Sequence, residues 1–122
     1  MKPVQLGEVE ARFANLIWNR APLASSALVS LAGEALGWKK STTYTVLKRL
    51  CDKGLFQNDG GTVRVLVSRD AYYGAQSEQF VEETFSGSLP AFFAAFTSRK
   101  KLTPQEVAAL RKMIETYEED AP

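Results

Sequence analysis

The 122-residue sequence predicts a mainly α-helical protein with a small β wing. Two patterns support this fold class. Apolar residues recur at helical spacing in five separate segments, and one β-branched stretch follows a glycine-rich turn near the middle of the chain. A hydrophobic content of 45% with 24% charged residues is typical of a folded protein rather than a disordered one.

The first two helices are predicted from apolar stripes on either side of a break. Residues 6–19 carry the stripe Leu6, Val9, Phe13, Leu16 and Ile17. Ala21-Pro22 interrupts the pattern, because proline cannot continue a helix. A second stripe follows at Leu28, Leu31, Ala32, Ala35 and Leu36, and Gly37 is expected to end this helix.

The third predicted helix, residues 39–53, has two contrasting faces. The face expected to be buried comprises Thr43, Val46, Leu47 and Leu50. The opposite face offers short hydroxyls and cations, at Ser41, Thr42, Thr45, Lys48 and Arg49, with Tyr44 at the boundary. Gly54 ends the helix.

A β-hairpin is predicted directly after this helix. Residues 55–58 lead into the turn Asp59-Gly60-Gly61, and the β-branched residues 62–67 return. Three short helices and a hairpin within the first 70 residues follow the order of a winged helix-turn-helix. We therefore predict a DNA-binding domain over residues 1–70.

Residues 71–122 are predicted to form a helical dimerisation segment. One amphipathic helix is ended by Ser86-Gly87-Ser88, a short apolar helix follows, and Thr103 with Glu106 has capping-box spacing before the last helix. Five of the seven phenylalanines fall here, more than so short a segment can enclose. Burial across a dimer is favoured over packing on the first domain, through Phe80, Phe85, Phe92, Phe93, Phe96, Val107, Leu110, Ile114 and Tyr117.

The charge distribution suggests which part approaches a polyanion. Residues 1–70 carry ten basic and six acidic side chains, whereas residues 71–122 carry five basic and eight acidic ones. The expected contacts to double-stranded DNA are Lys39, Lys40, Ser41, Thr42, Tyr44, Thr45, Lys48, Arg49 and Arg64. The competing interpretation is an ordinary solvated helix face, and for Arg64 a surface cation on an exposed strand.

Composition argues against an enzyme. The chain has no histidine and one cysteine, which removes histidine-based catalysis, disulfides and ordinary zinc sites, so no cofactor or metal is expected. We interpret Cys51 as a small hydrophobe and Trp18 and Trp38 as packing residues. Without a long apolar stretch or an apolar start after Met1, we expect a cytoplasmic protein that does not insert into membranes.

Taken together, several segments resemble the penicillinase-repressor family (BlaI/MecI, with the related copper-responsive CopY repressors). The resemblance runs through the opening helix, through Ser41-Thr42-Thr43-Tyr44-Thr45-Val46-Leu47-Lys48-Arg49-Leu50, and through Lys53-Gly54-Leu55. It continues at Phe80-Val81, at Phe85-Ser86-Gly87-Ser88 and at Leu102-Thr103.

The resemblance implies a homodimeric repressor that binds a pseudo-palindromic operator through helix three and the wing. Thr42, Thr45 and Arg49 match the family's recognition helix, whereas Tyr44 replaces an arginine of some members and Ser41 replaces a lysine. Antibiotic-responsive members are cleaved in the short apolar helix after a membrane sensor-protease signals, and the aligned bond here is Ala95–Phe96. The cysteine-rich motif of the copper-responsive branch is absent, so copper sensing is not implied.

Two alternatives remain open at this stage. The helix-three face could bind a partner protein, which would make the domain a winged-helix interaction module. A small molecule bound in the aromatic C-terminal region could also control the repressor directly.

Overall fold

The computed structural model describes residues 3–120, which form six α-helices and a three-stranded antiparallel sheet. Met1, Lys2, Ala121 and Pro122, which the predicted domain bounds include, lie outside the described residues. The helices are α1 (Glu8–Arg20), α2 (Ser25–Leu36), α3 (Lys40–Asp52), α4 (Arg69–Phe85), α5 (Leu89–Arg99) and α6 (Pro104–Asp120). The strands are β1 (Leu23–Ala24), β2 (Phe56–Asp59) and β3 (Thr62–Val65). The predicted fold class, mainly α with a small β wing, is confirmed.

The core of the N-terminal part is formed by α1, α2, α3 and the sheet. Its buried hydrophobic residues are Phe13, Ala14, Ile17, Leu28, Ala32, Val46, Leu47, Leu50, Leu55, Phe56, Val63 and Tyr72. Trp38 stacks on Phe13 with ring centroids 5.0 Å apart, and the Trp18 indole donates to the Val67 carbonyl at 3.0 Å. These contacts confirm both tryptophans as packing residues.

The predicted stripe of α1 is partly wrong. Val9 is 49% exposed, whereas Phe13, Ala14 and Ile17 are fully buried. Each helical residue advances by about 100° around the axis, so a face centred on these three residues leaves Val9 at its edge. Ala14, which the predicted stripe does not include, lies on the buried side of this face.

The sheet has the order β1-β3-β2, with the hairpin strands β2 and β3 in the register Phe56 to Val65 and Asp59 to Thr62. Gly60 and Gly61 form the turn with φ values of 55° and 97°, which glycine adopts without steric penalty. The wing is thus confirmed. Strand β1, which pairs Leu23 with Val63, was not predicted, because two residues are too short to show strand alternation.

Two compact units divide the chain, Met1–Gln79 and Phe80–Pro122. The division lies within α4, whereas the predicted domain boundary lies after residue 70. The start of α4 belongs to the first unit because the Tyr72 hydroxyl accepts from the Leu6 amide at 3.1 Å, and the Gln76 side chain donates to the Val4 carbonyl at 2.6 Å.

In the second unit, the helix boundaries follow the predicted signals. Gly87 has φ 80° after α4, and the Ser88 hydroxyl accepts from the Ala91 amide at the start of α5. At the start of α6 the Thr103 and Glu106 side chains each accept from the other residue's amide, at 3.0 and 2.9 Å. This reciprocal pair is the predicted capping box.

Candidate nucleic-acid interface

Helix α3 presents one buried and one exposed face. Thr43, Val46, Leu47 and Leu50 are buried, as predicted. Ser41, Thr42, Thr45, Lys48 and Arg49 are all exposed, so the residue types expected at DNA share one solvent-facing surface. We call these five residues the outer face of α3. The Thr45 hydroxyl donates back to the Ser41 carbonyl at 2.9 Å, which leaves its oxygen free to accept from a DNA base.

The N-terminal end of α3 is open to an anion. Lys39 is the N-cap residue, and its side chain does not cap the helix. The first helical hydrogen bond runs from the Thr43 amide to the Lys39 carbonyl, at 3.0 Å. The amides of Lys40, Ser41 and Thr42 therefore have no helical acceptor. Lys39 and Lys40 are exposed, and within residues 3–120 neither forms an ion pair. Free amides, the helix dipole and two cations all favour a phosphate at this position.

The remaining cations of the predicted set already have carboxylate partners. Lys48 contacts Asp52 at 3.0 Å, with both side chains more than half exposed. Arg64 on β3 contacts Asp59 across the hairpin at 3.4 Å. Exposed ion pairs of this kind contribute about 0–1 kcal/mol, so a DNA phosphate can compete for either cation.

Glu10 on α1 links two further cations to the body of the domain. Its carboxylate lies 3.3 Å from Lys53 Nζ and 3.6 Å from the Arg49 guanidinium. The pKa of Glu10 is lowered, first by the hydrogen bond that its carboxylate accepts from the Gly7 amide and then by Lys53 and Arg49, against an opposing effect of burial. Glu10 therefore holds the Arg49 guanidinium beside α1.

Tyr44 is partly withdrawn from the outer face of α3. Its side chain is half-buried, packs against the core, and shares a hydrogen bond of 3.1 Å with the Ser25 hydroxyl at the start of α2. The hydroxyl that could have touched a phosphate is thus engaged within the protein. Its role in base recognition stays a prediction.

Sequence reasoning missed three residues of this region, Ser25, Glu10 and Lys53. Ser25 and Glu10 lie 19 and 39 residues from the α3 side chains they contact, and Lys53 lies 43 residues from Glu10. Periodicity reports which face of a helix is buried but not which distant polar group meets it. Only the serine pair Ser25-Ser26, which follows the Ala21-Pro22 break after two intervening residues, offered a signal, as a helix start.

Cys51 is half-buried at the edge of the core. Burial raises the pKa of its thiol, and the neighbouring Asp52 carboxylate adds to that rise. A thiol with a raised pKa is a poor nucleophile at neutral pH. The interpretation of Cys51 as a small hydrophobe fits this environment.

The second unit exposes most of the apolar residues assigned to dimerisation, whereas Phe85 and Phe92 are half-buried. Neither α5 nor α6 contains a buried residue, and Ile114 and Tyr117 are 62% and 74% exposed. Phe80, Phe85, Phe92 and Phe96 form a connected cluster of rings with centroids 5.7–6.2 Å apart. A hollow of about 360 Å³ between α5 and α6 is lined by Phe92, Phe93, Phe96, Leu102, Glu106, Ala109 and Leu110.

The candidate cleavage bond Ala95–Phe96 lies inside α5, and both side chains are exposed. The Ala95 carbonyl accepts from the Ser98 hydroxyl at 2.7 Å, and the Phe96 carbonyl accepts from the Lys100 amide at 3.0 Å. The bond is therefore held in a regular helix rather than presented as extended chain.

Two other kinds of site are absent from the part of the chain that the structure describes. Among residues 3–120, no group of three or more Cys, Asp or Glu side chains is placed to hold a metal ion. In the same part of the chain, no helix combines the length and the apolar character needed to cross a membrane.

The chain matches a known protein family. The family model of the penicillinase repressor matches residues 6–116, which includes the outer face of α3, the wing and most of α6. No curated protein matches the chain.

Proposed function

The chain belongs to the penicillinase repressor family of transcriptional repressors, and on that premise we propose that it binds operator DNA as a homodimer through α3 and the wing. The observation that carries the proposal is the division of α3 into a fully buried and a fully polar face, followed directly by the hairpin. A helix of this kind fits the major groove, and a hairpin beside it can contact the flanking backbone.

Each part of the interface has a separate role in this proposal. Ser41, Thr42 and Thr45 have short side chains that approach base edges. Lys39 and Lys40 bind a phosphate together with the free amides at the start of α3. Lys48, Arg49 and Arg64 exchange their carboxylate partners for phosphates, and Arg64 does so from the wing.

The homodimer is supported by the apolar surface of the second unit. A helix of 17 residues such as α6, none of whose residues is fully buried in its own chain, needs a partner for its apolar stripe. A second copy offers the same stripe, and a two-fold dimer explains why the operator would be pseudo-palindromic. The hollow between α5 and α6 shares Phe92, Phe93, Phe96 and Leu110 with this surface, so we assign it to the dimer rather than to a small molecule.

Relief of repression by proteolysis at Ala95–Phe96 is a further part of the proposal, and it rests on the family alone. Cleavage there would separate α6 from the DNA-binding unit. Because the bond is helical, the protease would need α5 to open locally first. Mass spectrometry of repressor recovered from induced cells would then show one fragment ending at Ala95 and another beginning at Phe96.

The DNA-binding proposal is tested by the salt dependence of affinity. Duplexes enriched from a randomised pool serve as the operator, and affinity is measured by fluorescence anisotropy at several salt concentrations. Each phosphate contact contributes about 0.9 to the slope of log affinity against log salt. Lys40→Ala removes one contact per protomer, so we expect the slope of a homodimer to fall by about 2.

The matched control is Lys101→Ala, which removes an exposed lysine between α5 and α6 and should leave the slope unchanged. If the unmodified protein binds no duplex in a salt-sensitive manner, the proposal fails and the outer face of α3 is better explained as a protein-binding surface. A fall of about 1 for Lys40→Ala would contradict the homodimer but not the DNA contact.

A further inference from the structure

A chain of three polar contacts joins the tip of the wing to the recognition helix. The Gly61 amide donates to the Asn58 side chain at 3.0 Å, which shapes the turn between β2 and β3. The Gly61 carbonyl accepts from the Ser25 amide at 2.8 Å, where α2 begins. The Ser25 hydroxyl then shares the 3.1 Å hydrogen bond with the Tyr44 hydroxyl on α3. Ser25 is thus the junction between wing, α2 and α3.

This junction is buried at its centre. Ser25 is only 8% exposed, and within residues 3–120 its hydroxyl contacts no polar side chain other than Tyr44. If a buried hydroxyl loses its hydrogen-bond partner, the folded protein becomes less stable, because water cannot replace the lost bond. The Tyr44 hydroxyl therefore has a specific task inside the protein, since it satisfies the Ser25 side chain.

Because of where Tyr44 lies on α3, this hydrogen bond restrains the orientation of the helix. Tyr44 lies between the buried residue Thr43 and the exposed residue Thr45, so its ring stands at the border between core and outer face. A bond at that border opposes rotation of α3 about its own axis. With side chains reaching about 5–6 Å from the axis, a roll of about 10° displaces their tips by about 1 Å. Such a displacement is large enough to break well-aligned contacts to base edges.

We propose that Tyr44 is a positioning residue that, through Ser25, fixes the roll of α3 relative to the wing and so determines operator specificity without reading a base. The inference rests on the proposed DNA binding. In this proposal Tyr44 does not contact a base; its hydroxyl acts indirectly, by holding α3 in position. Contacts to phosphates tolerate small shifts because they depend mainly on charge, whereas base contacts need correct alignment. Loss of the hydrogen bond should therefore weaken specific binding and spare non-specific binding.

The test compares Tyr44→Phe, Ser25→Ala and the double variant. Affinity is measured for the enriched duplex and for a scrambled duplex of equal composition, well below the unfolding temperature of each protein. A hydrogen bond of ordinary strength predicts that the specific-to-scrambled ratio falls about fivefold to tenfold in each single variant. The double variant should fall no further, because both changes remove the same bond. Tyr73→Phe, which removes a half-exposed tyrosine hydroxyl on α4, is the control and should leave the ratio unchanged.

Binding to a panel of single-base variants of the duplex separates the possible roles of Tyr44. Positioning predicts weaker discrimination at every contacted base pair, equally in Tyr44→Phe and Ser25→Ala. A change confined to one base pair, seen in Tyr44→Phe but absent in Ser25→Ala, would show direct readout and overturn the inference. Lower thermal stability with an unchanged ratio would show a structural role only and also overturn it.

Failure of the inference can be distinguished from failure of the proposed function. If the unmodified protein shows no salt-sensitive binding to either duplex, DNA binding itself is wrong and the inference falls with it. If the unmodified protein binds and discriminates while both variants keep the full ratio, only the role of Tyr44 and Ser25 is wrong.

Discussion

The Glu10 side chain connects the start of α1 to the end of α3. Its carboxylate accepts from the Gly7 amide at 3.1 Å at the start of α1, and it pairs with Lys53 and Arg49 at the far end of α3. The side chain is only 18% exposed, so these contacts are less screened than a surface ion pair. Each of them stabilises the charged carboxylate, and the pKa of Glu10 is lowered accordingly.

The lowered pKa makes a prediction about stability against pH. A carboxyl group whose pKa in the folded state lies below its ordinary value of 4.5 stabilises the fold fully above that value. The contribution is lost as pH falls through the folded-state pKa. We expect Glu10→Gln to lower the free energy of unfolding by about 1–2 kcal/mol at pH 7, and by much less at pH 3. Urea unfolding at fixed protein concentration measures both values.

Glu8→Gln is the matched control for this prediction, because Glu8 lies in the same helical turn but is exposed. It should change the free energy of unfolding little at either pH. An equal loss for Glu10→Gln at pH 7 and at pH 3 would show that the carboxylate charge is not what stabilises the start of α1.

Individual contacts were predictable only where they are local. The faces of α3 followed from spacing, because burial repeats with the helical period. The pairing of Ser25 with Tyr44, and of Glu10 with Lys53, depends on how distant segments pack, and no local pattern encodes that. The sequence therefore located the candidate interface, but it did not show that the Tyr44 hydroxyl is hydrogen-bonded to Ser25 within the protein.

At the level of elements, sequence signals located the ends of helices and turns well. Gly37 adopts φ 69° after α2, and Thr103 with Glu106 caps α6, as their residue types predicted. The two-residue strand β1 escaped notice because only its pairing with β3 defines it. Short elements of this kind are created by tertiary contacts rather than by local propensity.

Replacing glycine by alanine should have opposite effects on the free energy of unfolding at two positions, one in a helix and one in a turn. Gly74 lies inside α4 with nothing within 4 Å of an added Cβ, whereas Gly61 holds the wing turn at φ 97°. Gly74→Ala should raise the free energy of unfolding by about 0.5–1 kcal/mol, since alanine favours the helix. Gly61→Ala should lower it by about 1 kcal/mol or more, because a side chain is strained at that φ. Urea unfolding of the two variants tests both signs, and a stabilising Gly61→Ala would contradict the turn geometry.

At the level of the whole molecule, the main question is what covers the apolar surface of α5 and α6. The excess of phenylalanines predicted an interface from the sequence, and within one chain Phe80, Phe93 and Phe96 remain 46–51% exposed. The sequence offered candidate residues for a dimer, but how two copies would pair could not be predicted, because the sequence of one chain contains no information on how two chains meet.

A single charge on this surface should separate the protomers. Ile114 is 62% exposed, so Ile114→Glu leaves the fold of one chain intact but places a carboxylate in the proposed interface. Sedimentation equilibrium should show a dimer for the unmodified protein and a monomer for the variant. Lys112→Glu introduces the same carboxylate on the same helix, off the apolar stripe, and should remain dimeric. A dimeric Ile114→Glu protein would mean that α6 does not form the contact.

The carboxylates that pair with Lys48, Arg49 and Arg64 have a consequence for how a repressor searches a genome. A cation that already holds an internal counterion brings little net charge to any stretch of duplex, so nonspecific DNA attracts it weakly. In the proposed complex, such a cation would gain a phosphate where the groove holds that phosphate close enough to displace Asp52, Glu10 or Asp59. With the many competing sites of a chromosome, weak nonspecific attraction leaves more of the protein free to occupy its operator. The acidic residues beside the interface would thus raise occupancy of the operator even though they repel DNA.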